Sequence, residues 1–259
     1  MKTSYTYDGT FEGILTVVFE AYERKTWPCS IEQEHLAQPQ IFGETIKITT
    51  DEQKVSRVWQ GLQKKLSASA LTALYHTFLW EQPGFEMVIF DYIKLAFTTQ
   101  HNIEDNYAAP CVLKVQQAAK QMFREKHRME AFVRFQKAAD GVFFAAISPD
   151  FNVLPLIIKH FEKRYADQQW IIYDIRRHYG AFYNLQNTEL INLDQVSLSR
   201  LRNLPAELLS DEEENYKQLW QVYFDHVNIP ERKNPKLHLR HIPKRYWKYL
   251  SEKQPRIKA

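Results

Sequence analysis

The chain begins with a segment that combines a strand, a turn and a helix start: Tyr5-Thr6-Tyr7-Asp8-Gly9-Thr10-Phe11-Glu12-Gly13. Tyr5–Tyr7 has the composition of a short strand, and Asp8-Gly9 is a turn signal. The hydroxyl of Thr10 can then accept a hydrogen bond from the first turn of a helix. Apolar residues recur at helical spacing after Phe11, so the sequence predicts an amphipathic helix over residues 11–24.

The rest of the N-terminal region shows a short strand pattern within residues 41–49 and then three helical patterns. Asp51 and Ser67 are the predicted caps of the first two of these helices, and Pro83-Gly84 separates the second from the third. Residues 101–110 are polar and end in Pro110, which favours a joint. We therefore expect a mainly helical N-terminal region over residues 1–110.

Residues 111–259 are predicted to form an α+β domain, either separate or integrated with the first region. A helix from Cys111 precedes β-rich runs at 131–136 and 142–147, which flank an Asp140-Gly141 hairpin signal. A helix capped by Asn152 and strands at 169–176 and 180–185 follow. This order predicts a small antiparallel sheet of the ββαββ type, then a C-terminal helix over residues 211–227 and an ordered basic tail.

Positive charge is concentrated at the end of the chain. Residues 1–110 carry 9 Lys and Arg against 14 Asp and Glu, a net charge of −5. Residues 231–259 carry 10 Lys and Arg against 2 Asp and Glu, a net charge of +8. A local excess of this size sets a preference for anionic partners that the overall charge of +3 conceals.

The basic segment alternates cations with aromatic residues, a pattern typical of nucleic-acid binding, in which cations neutralise phosphates and Trp247 or Tyr246 stacks on bases. The alternative is that these rings pack onto the protein core. We expect further contacts from a basic cluster at residues 124–128 and from the predicted sheet. The predicted nucleic-acid-binding residues are Arg128, Arg134, Arg176, Arg232, Lys233, Arg240, Lys244, Arg245, Tyr246, Trp247 and Lys248.

The cations at residues 124–128 and those in the predicted sheet can also have a structural role instead of binding nucleic acid. The cluster at residues 124–128 can instead be a favourable charge arrangement at a helix C-terminus. Arg176 and Arg177 alternate faces in the predicted strand, so at most one of them would face a given groove. Pairing of these arginines with Asp174 inside the fold is the second interpretation of the strand cluster.

No catalytic motif is present, whether a phosphate loop, a nucleophile elbow or a zinc-protease helix. The candidate catalytic residues are Asp8, Glu12, His127 and Asp174, chosen because neighbouring carboxylates and imidazoles can perform acid–base chemistry. Turn formation and helix N-terminal charge explain Asp8 and Glu12 equally well. His226, His238 and His241 match no zinc spacing, so we expect no metal and no cofactor.

Cys29 and Cys111 are the two cysteines, and we expect both to be reduced thiols in a cytoplasmic protein. The N-terminus lacks a basic stretch followed by an apolar run, so we predict no signal peptide. The longest apolar stretches are much shorter than the roughly 20 residues that a membrane-spanning helix needs, so we expect no membrane association.

Four motifs, taken in order, carry a family resemblance: Tyr7–Gly13 with the apolar helix after it, His127-Arg128-Met129 before Phe132, Trp170–Asp174, and Pro243–Lys248 after Asn234-Pro235-Lys236. Together they resemble a bacterial family of DNA metabolism or DNA repair proteins whose core is a domain of unknown function. The resemblance implies a radical SAM companion enzyme of DNA modification or repair. In some relatives a similar domain is joined to a domain resembling uracil-DNA glycosylase.

Three hypotheses follow. The leading one is a nucleic-acid-binding accessory protein in DNA repair or DNA metabolism. The second is an enzyme that acts on a nucleobase or nucleotide, with Asp8, Glu12, His127, Arg128 and Asp174 meeting in one pocket. The third is an adaptor that binds the radical SAM partner and has no affinity for DNA.

Overall fold

The computed structural model describes residues 2–37, 43–138, 141–192, 239 and 241–253. The chain divides into two compact units, Met1–Phe123 and Arg124–Ala259, both containing helices and strands. This mixed content confirms the predicted α+β class. The predicted helix over residues 211–227 lies outside the described residues, as do Arg232, Lys233 and Arg240.

Unit 1 contains a parallel three-stranded sheet that the chain pattern alone did not predict. Strand β1 spans Lys2–Tyr7, β2 spans Ser30–Gln33 and β3 spans Gly43–Lys47, in the order β2-β1-β3. Helix α1 (Phe11–Arg24) connects β1 to β2, and a helical crossover of this kind brings the two strands into parallel pairing. The middle strand β1 is therefore covered on both edges.

Three further helices complete unit 1 where the sequence predicted them. They are α2 (Glu52–Lys65), α3 (Ala68–Trp80) and α4 (Phe85–Thr98). The predicted caps are confirmed: Thr10 accepts from the backbone N–H of Gly13, Asp51 from two N–H groups of α2, and Ser67 from Ala70. The apolar faces of these helices and of β1 form one hydrophobic core.

Helix α5 (Pro110–Phe132) crosses the boundary between the units, and a mixed five-stranded sheet follows it. Its strands are β4 (Gln136–Lys137), β5 (Phe143–Ile147), β6 (Trp170–Asp174), β7 (Tyr179–Tyr183) and β8 (Thr188–Ile191), in that order across the sheet. Helix α6 (Leu154–Arg164) connects β5 to β6.

The prediction of a wholly antiparallel sheet is wrong at its centre. Strands β5 and β6 pair in parallel, whereas the other neighbours pair antiparallel. The reason is helix α6, which returns the chain to the end of the sheet at which β5 begins, so that β6 runs in the same direction as β5. Residues 131 and 132, predicted as strand, are the last residues of α5, and the hairpin strand β4 begins only at Gln136.

Two local predictions in unit 2 also need correction. Val153, not Asn152, is the N-cap of α6, and the Asn152 side chain instead accepts a hydrogen bond from the Tyr179 hydroxyl. Strand β6 ends at Asp174, two residues earlier than predicted, because the Asp174 carboxylate accepts hydrogen bonds from the backbone N–H groups of Arg176 and Arg177 and starts a turn.

The end of the described chain is a 3₁₀ helix, Lys244–Tyr249, followed by a second short one at Ser251–Lys253. Tyr246 and Leu250 are almost fully buried, so this segment is packed onto unit 2. Within the described parts of the chain, no helix has the length and apolar character needed to cross a membrane.

We expect Gly13→Ala to lower the free energy of unfolding by about 1–3 kcal/mol, as overpacking of a tight site does. A Cβ at Gly13 would press on the Asp8 carboxylate and lie 2.8 Å from the Tyr7 ring. The control is Gly61→Ala in α2, where a Cβ meets only the Phe97 ring at 3.1 Å and helix propensity improves. Urea unfolding of both variants measures this, and equal stabilities would contradict the packing constraint at Gly13.

Candidate functional site

Within the part of the chain that the structure describes, a cluster of charged side chains lies at the carboxyl ends of the parallel strands β5 and β6. In open α/β sheets, ligands bind just outside this edge, because the loops there are free to carry polar groups. Strand β5 leads into the loop at residues 148–153, and β6 leads into the turn at residues 175–178. The following contacts all belong to unit 2.

Asp174 is fully buried at the end of β6 and forms an ion pair with Arg177, at 2.9 Å between Oδ2 and Nη1. Burial raises the pKa of Asp174, while Arg177 and the backbone N–H groups of Arg176 and Arg177 oppose that shift. The contacts of this carboxylate with other described residues hold the turn together, an arrangement that corresponds to the second interpretation of the strand cluster.

Arg176 and Arg177 converge on one loop. Arg176 donates from Nη1 to the carbonyl oxygen of Asp150 at 3.1 Å, and Arg177 donates to the carbonyl oxygens of Pro149 and Asp150 at 3.3 Å each. The prediction that at most one of the two arginines faces a given groove is therefore wrong. It assumed a continuing strand, whereas a turn brings both guanidinium groups to the same side.

Glu125 on α5 is the centre of the cluster, although its side chain is only 1% exposed. It accepts hydrogen bonds from the Tyr246 hydroxyl at 2.5 Å and from the backbone N–H of Asp150 at 2.9 Å. Arg128 lies at 3.5 Å and Arg245 at 3.4 Å from its second oxygen. The carboxylate thus links α5, the loop after β5 and the C-terminal 3₁₀ helix.

Arg245 connects this buried centre to the surface. Its Nη2 lies 2.7 Å from Asp150 Oδ2 and donates to the Tyr246 hydroxyl oxygen at 2.6 Å. Its guanidinium carbon lies 4.5 Å from the centre of the Tyr246 ring, a cation–π contact. The Arg245 side chain is nevertheless 41% exposed, so it can also meet a ligand from solvent.

The remaining predicted binding residues in the 3₁₀ helix divide into exposed and buried ones. Lys244 and Lys248 are exposed. Tyr246 is buried, so its ring is not accessible for stacking on a base, whereas Trp247 is half-buried and donates from Nε1 to the carbonyl oxygen of Ile242. Of the two stacking candidates, Trp247 is thus the less buried one, and the Lys253 ammonium lies 5.6 Å from the centre of its ring.

Arg134 and His127 lie on either side of the α5 C-terminus, in different surroundings. Arg134 forms an ion pair with Glu252 at 3.0 Å and donates to the carbonyl oxygen of Ala131, so it anchors the C-terminal segment. His127 is exposed on α5. The structure therefore brings Arg128 and Arg245 to the Glu125 carboxylate and Arg176 to the backbone of the neighbouring Asp150, and it gives Arg134 a docking role.

The two candidate carboxylates in unit 1 have different environments. Burial acts to raise the pKa of Asp8, but hydrogen bonds from Thr10 and Thr50 lower it below the ordinary value. Asp8 accepts from the Thr10 backbone and hydroxyl and from the Thr50 hydroxyl at 2.7 Å, which organises the turn after β1. Glu12 is exposed in the first turn of α1. His127 and Asp174 belong to unit 2.

Sequence analysis missed Glu125 and Asp150. Glu125 lies within the basic cluster predicted at residues 124–128, yet it shares the buried helical face of Met122 and Met129. This three- and four-residue spacing was the available signal. Asp150 had no comparable signal, because its role depends on a loop. Across the described residues, no group of three or more His, Cys, Asp or Glu side chains is placed to hold a metal ion.

The family profile of DUF4130, a domain of unknown function, matches residues 83–252. This is well over half of the chain, and the chain therefore belongs to the DUF4130 family. The match contains Glu125, Asp150, Asp174 and Arg245, so the whole charged cluster lies inside the family domain.

No curated protein matches the chain. Among solved structures, a pGpG-specific phosphodiesterase, PggH from Vibrio cholerae, overlaps 88% of this chain and 100% of its own, at 8% identity and a TM-score of 0.28. An overlap of that quality shows no shared fold, and nothing is concluded from it.

We expect Tyr246→Phe to destabilise the protein by about 1–3 kcal/mol, because it removes a hydrogen bond from a buried carboxylate. The matched control is Tyr249→Phe in the same 3₁₀ helix, whose buried hydroxyl has no hydrogen-bond partner among the described residues. That substitution should be neutral. Denaturant unfolding of both variants is the measurement, and equal losses would show that the Glu125 contact contributes nothing specific.

Proposed function

We propose that this protein is a cytoplasmic, nucleic-acid-binding accessory protein of DNA metabolism or DNA repair, and that unit 2 makes the contact. The observation that carries the proposal is the convergence of Arg128, Arg176 and Arg245 at the carboxyl edge of β5 and β6. Two exposed lysines lie in the same 3₁₀ helix as Arg245: Lys244 directly precedes it and Lys248 follows it.

The three arginines are oriented before any ligand arrives. A guanidinium group has five N–H donors in a rigid fork, and among the described residues Arg128 and Arg176 each donate one hydrogen bond. Their other donors can therefore bind phosphate oxygens. Because the buried Glu125 and the Asp150 loop already hold the side chains, binding costs less conformational entropy than it would for mobile arginines.

The 3₁₀ helix supplies the second part of the surface. Tyr246 and Leu250 anchor it, so Lys244 and Lys248 project from a scaffold of defined geometry rather than from a mobile arm. Trp247 lies between these lysines in the chain and is half-buried. Cations on both sides of an aromatic ring suit a sugar-phosphate backbone with a neighbouring base, and stacking of this kind contributes about 1–3 kcal/mol per base.

The assignment to DNA rather than to another polyanion is supported by the sequence resemblance to DNA metabolism and repair proteins. The same resemblance supports a radical SAM enzyme of DNA modification or repair as the partner. We propose that this chain brings the partner and the DNA together, with the cationic surface of unit 2 binding the DNA.

The double variant Lys244→Gln/Lys248→Gln should weaken binding to single- or double-stranded DNA. It should also make the dependence of log K on log salt concentration shallower by about 1.5 to 2 units, because each lost phosphate contact releases roughly one counterion fewer. Fluorescence anisotropy across a salt series is the measurement.

The control for this experiment is Lys159→Gln/Lys163→Gln, which removes the same charge from exposed positions on α6. This pair should leave the salt slope nearly unchanged. The proposal is wrong if the wild-type protein has no affinity for DNA at low salt, or if both double variants change the slope equally.

The partner assignment predicts that the radical SAM companion co-purifies with the wild-type chain and equally with the Lys244→Gln/Lys248→Gln variant. The variant removes phosphate contacts but should leave protein contacts intact. A pull-down in nuclease-treated lysate measures this. Loss of the partner from both proteins after nuclease treatment would contradict a direct protein contact.

A further inference from the structure

The three carboxylates of the cluster differ in their exposure to solvent. The side chains of Glu125 and Asp174 are 1% and 0% exposed, whereas that of Asp150 is 42% exposed. Glu125 and Asp174 are therefore enclosed by the fold together with their hydrogen-bond partners. Asp150 is the one of the three that can exchange its partner for water.

The backbone of Asp150 is held independently of its side chain. Its N–H donates to Glu125, and its carbonyl oxygen accepts from Arg176 and Arg177. The carboxylate itself contacts only Arg245 among the described residues, at 2.7 Å. A change of side-chain rotamer would thus release Arg245 without moving the loop.

Arg245 would keep its position after such a release. It still donates to the Tyr246 hydroxyl, lies over the Tyr246 ring, and lies 3.4 Å from Glu125. The guanidinium group would then present the donors that Asp150 had occupied. A carboxylate and a phosphate accept the same paired N–H groups, so the vacated position suits a phosphate group.

The charge balance supports the same ligand. The charges of Asp174 and Arg177 neutralise each other in their ion pair. The remaining charged groups are three cations, Arg128, Arg176 and Arg245, and two anions, Glu125 and Asp150. When Asp150 turns outward, Arg128 and Arg245 remain on the one buried carboxylate of Glu125, and Arg176 remains on the backbone carbonyl oxygen of Asp150. The local excess of two positive charges matches a phosphate group, which carries one or two negative charges.

We propose that the Asp150 carboxylate occupies, on Arg245, the position of a phosphate group, and that the phosphate of a nucleic-acid ligand displaces it on binding. This inference rests on the proposed nucleic-acid-binding function and names the ligand group and the internal competitor at that site.

The test compares Asp150→Asn with Asp167→Asn, which removes the same charge from an exposed position before β6. Removing an exposed competing ion pair should strengthen oligonucleotide binding about five-fold in Asp150→Asn, against less than about two-fold in Asp167→Asn. Inorganic phosphate should raise the melting temperature of Asp150→Asn at lower concentrations than it does for wild type. Arg245→Gln should abolish the gain when combined with Asp150→Asn.

Oligonucleotides with and without a 5′-phosphate distinguish the two sources of the group. A gain restricted to the phosphorylated strand identifies a terminal phosphate, and an equal gain on both strands identifies the backbone. If wild type binds DNA but Asp150→Asn and Asp167→Asn bind alike, the Asp150 inference is overturned and the proposed function stands. If neither wild type nor Asp150→Asn binds DNA or phosphate, both are overturned.

Discussion

The buried carboxylate of Glu125 is the constraint on which the arrangement of unit 2 depends. Removing an ionised carboxylate from water costs several kcal/mol unless polar partners replace the water. Here the partners come from distant parts of the chain: Tyr246 and Arg245 from the 3₁₀ helix, Asp150 from the loop after β5, and Arg128 from α5 itself. Burial of the Glu125 side chain therefore depends on both other segments, which makes their positions interdependent.

This interdependence resolves the two interpretations of the basic aromatic segment, residue by residue. Tyr246 and Leu250 belong to the core, as the packing alternative expected. Lys244 and Lys248 lie on the surface, where cations for phosphate binding must lie. Arg245 participates in both environments, since it contacts the buried Glu125 and still exposes 41% of its side chain. A segment that is half core and half surface presents its cations with little mobility.

Local sequence patterns predicted the helices well because their signals are themselves local. Thr10, Asp51 and Ser67 each cap a helix through contacts within three residues. Strand direction was harder, because parallel pairing of β5 with β6 depends on how α6 returns the chain. The end of β6 was misplaced because the Asp174 carboxylate competes with the sheet for backbone N–H groups.

The site was predicted less completely than the fold, for a physical reason. Arginines are visible in a sequence, but the acids that orient them are not distinguishable from solvated ones. Glu125 is surrounded by Arg124, Lys126 and Arg128, and that charged run resembles an exposed helix face. Only its spacing from Met122 and Met129 marks it as buried. Asp150 acquires its role from a loop whose path no local pattern specifies.

The two units place different charges after their parallel strands, and this difference supports the proposal that unit 2 binds the anionic ligand. After β1, Asp8 is held by Thr10 and Thr50, and hydrogen bonding lowers its pKa, so a negative charge persists at that turn. The first 110 residues also carry a net charge of −5, which repels phosphate. After β5 and β6, by contrast, Arg128, Arg177 and Arg245 pair with three carboxylates, and Arg176 adds a guanidinium group that contacts only a backbone carbonyl oxygen. The charge asymmetry of the sequence thus corresponds to a difference between the two units. Unit 1 is acidic, whereas unit 2 carries arginines next to the loop that follows β5.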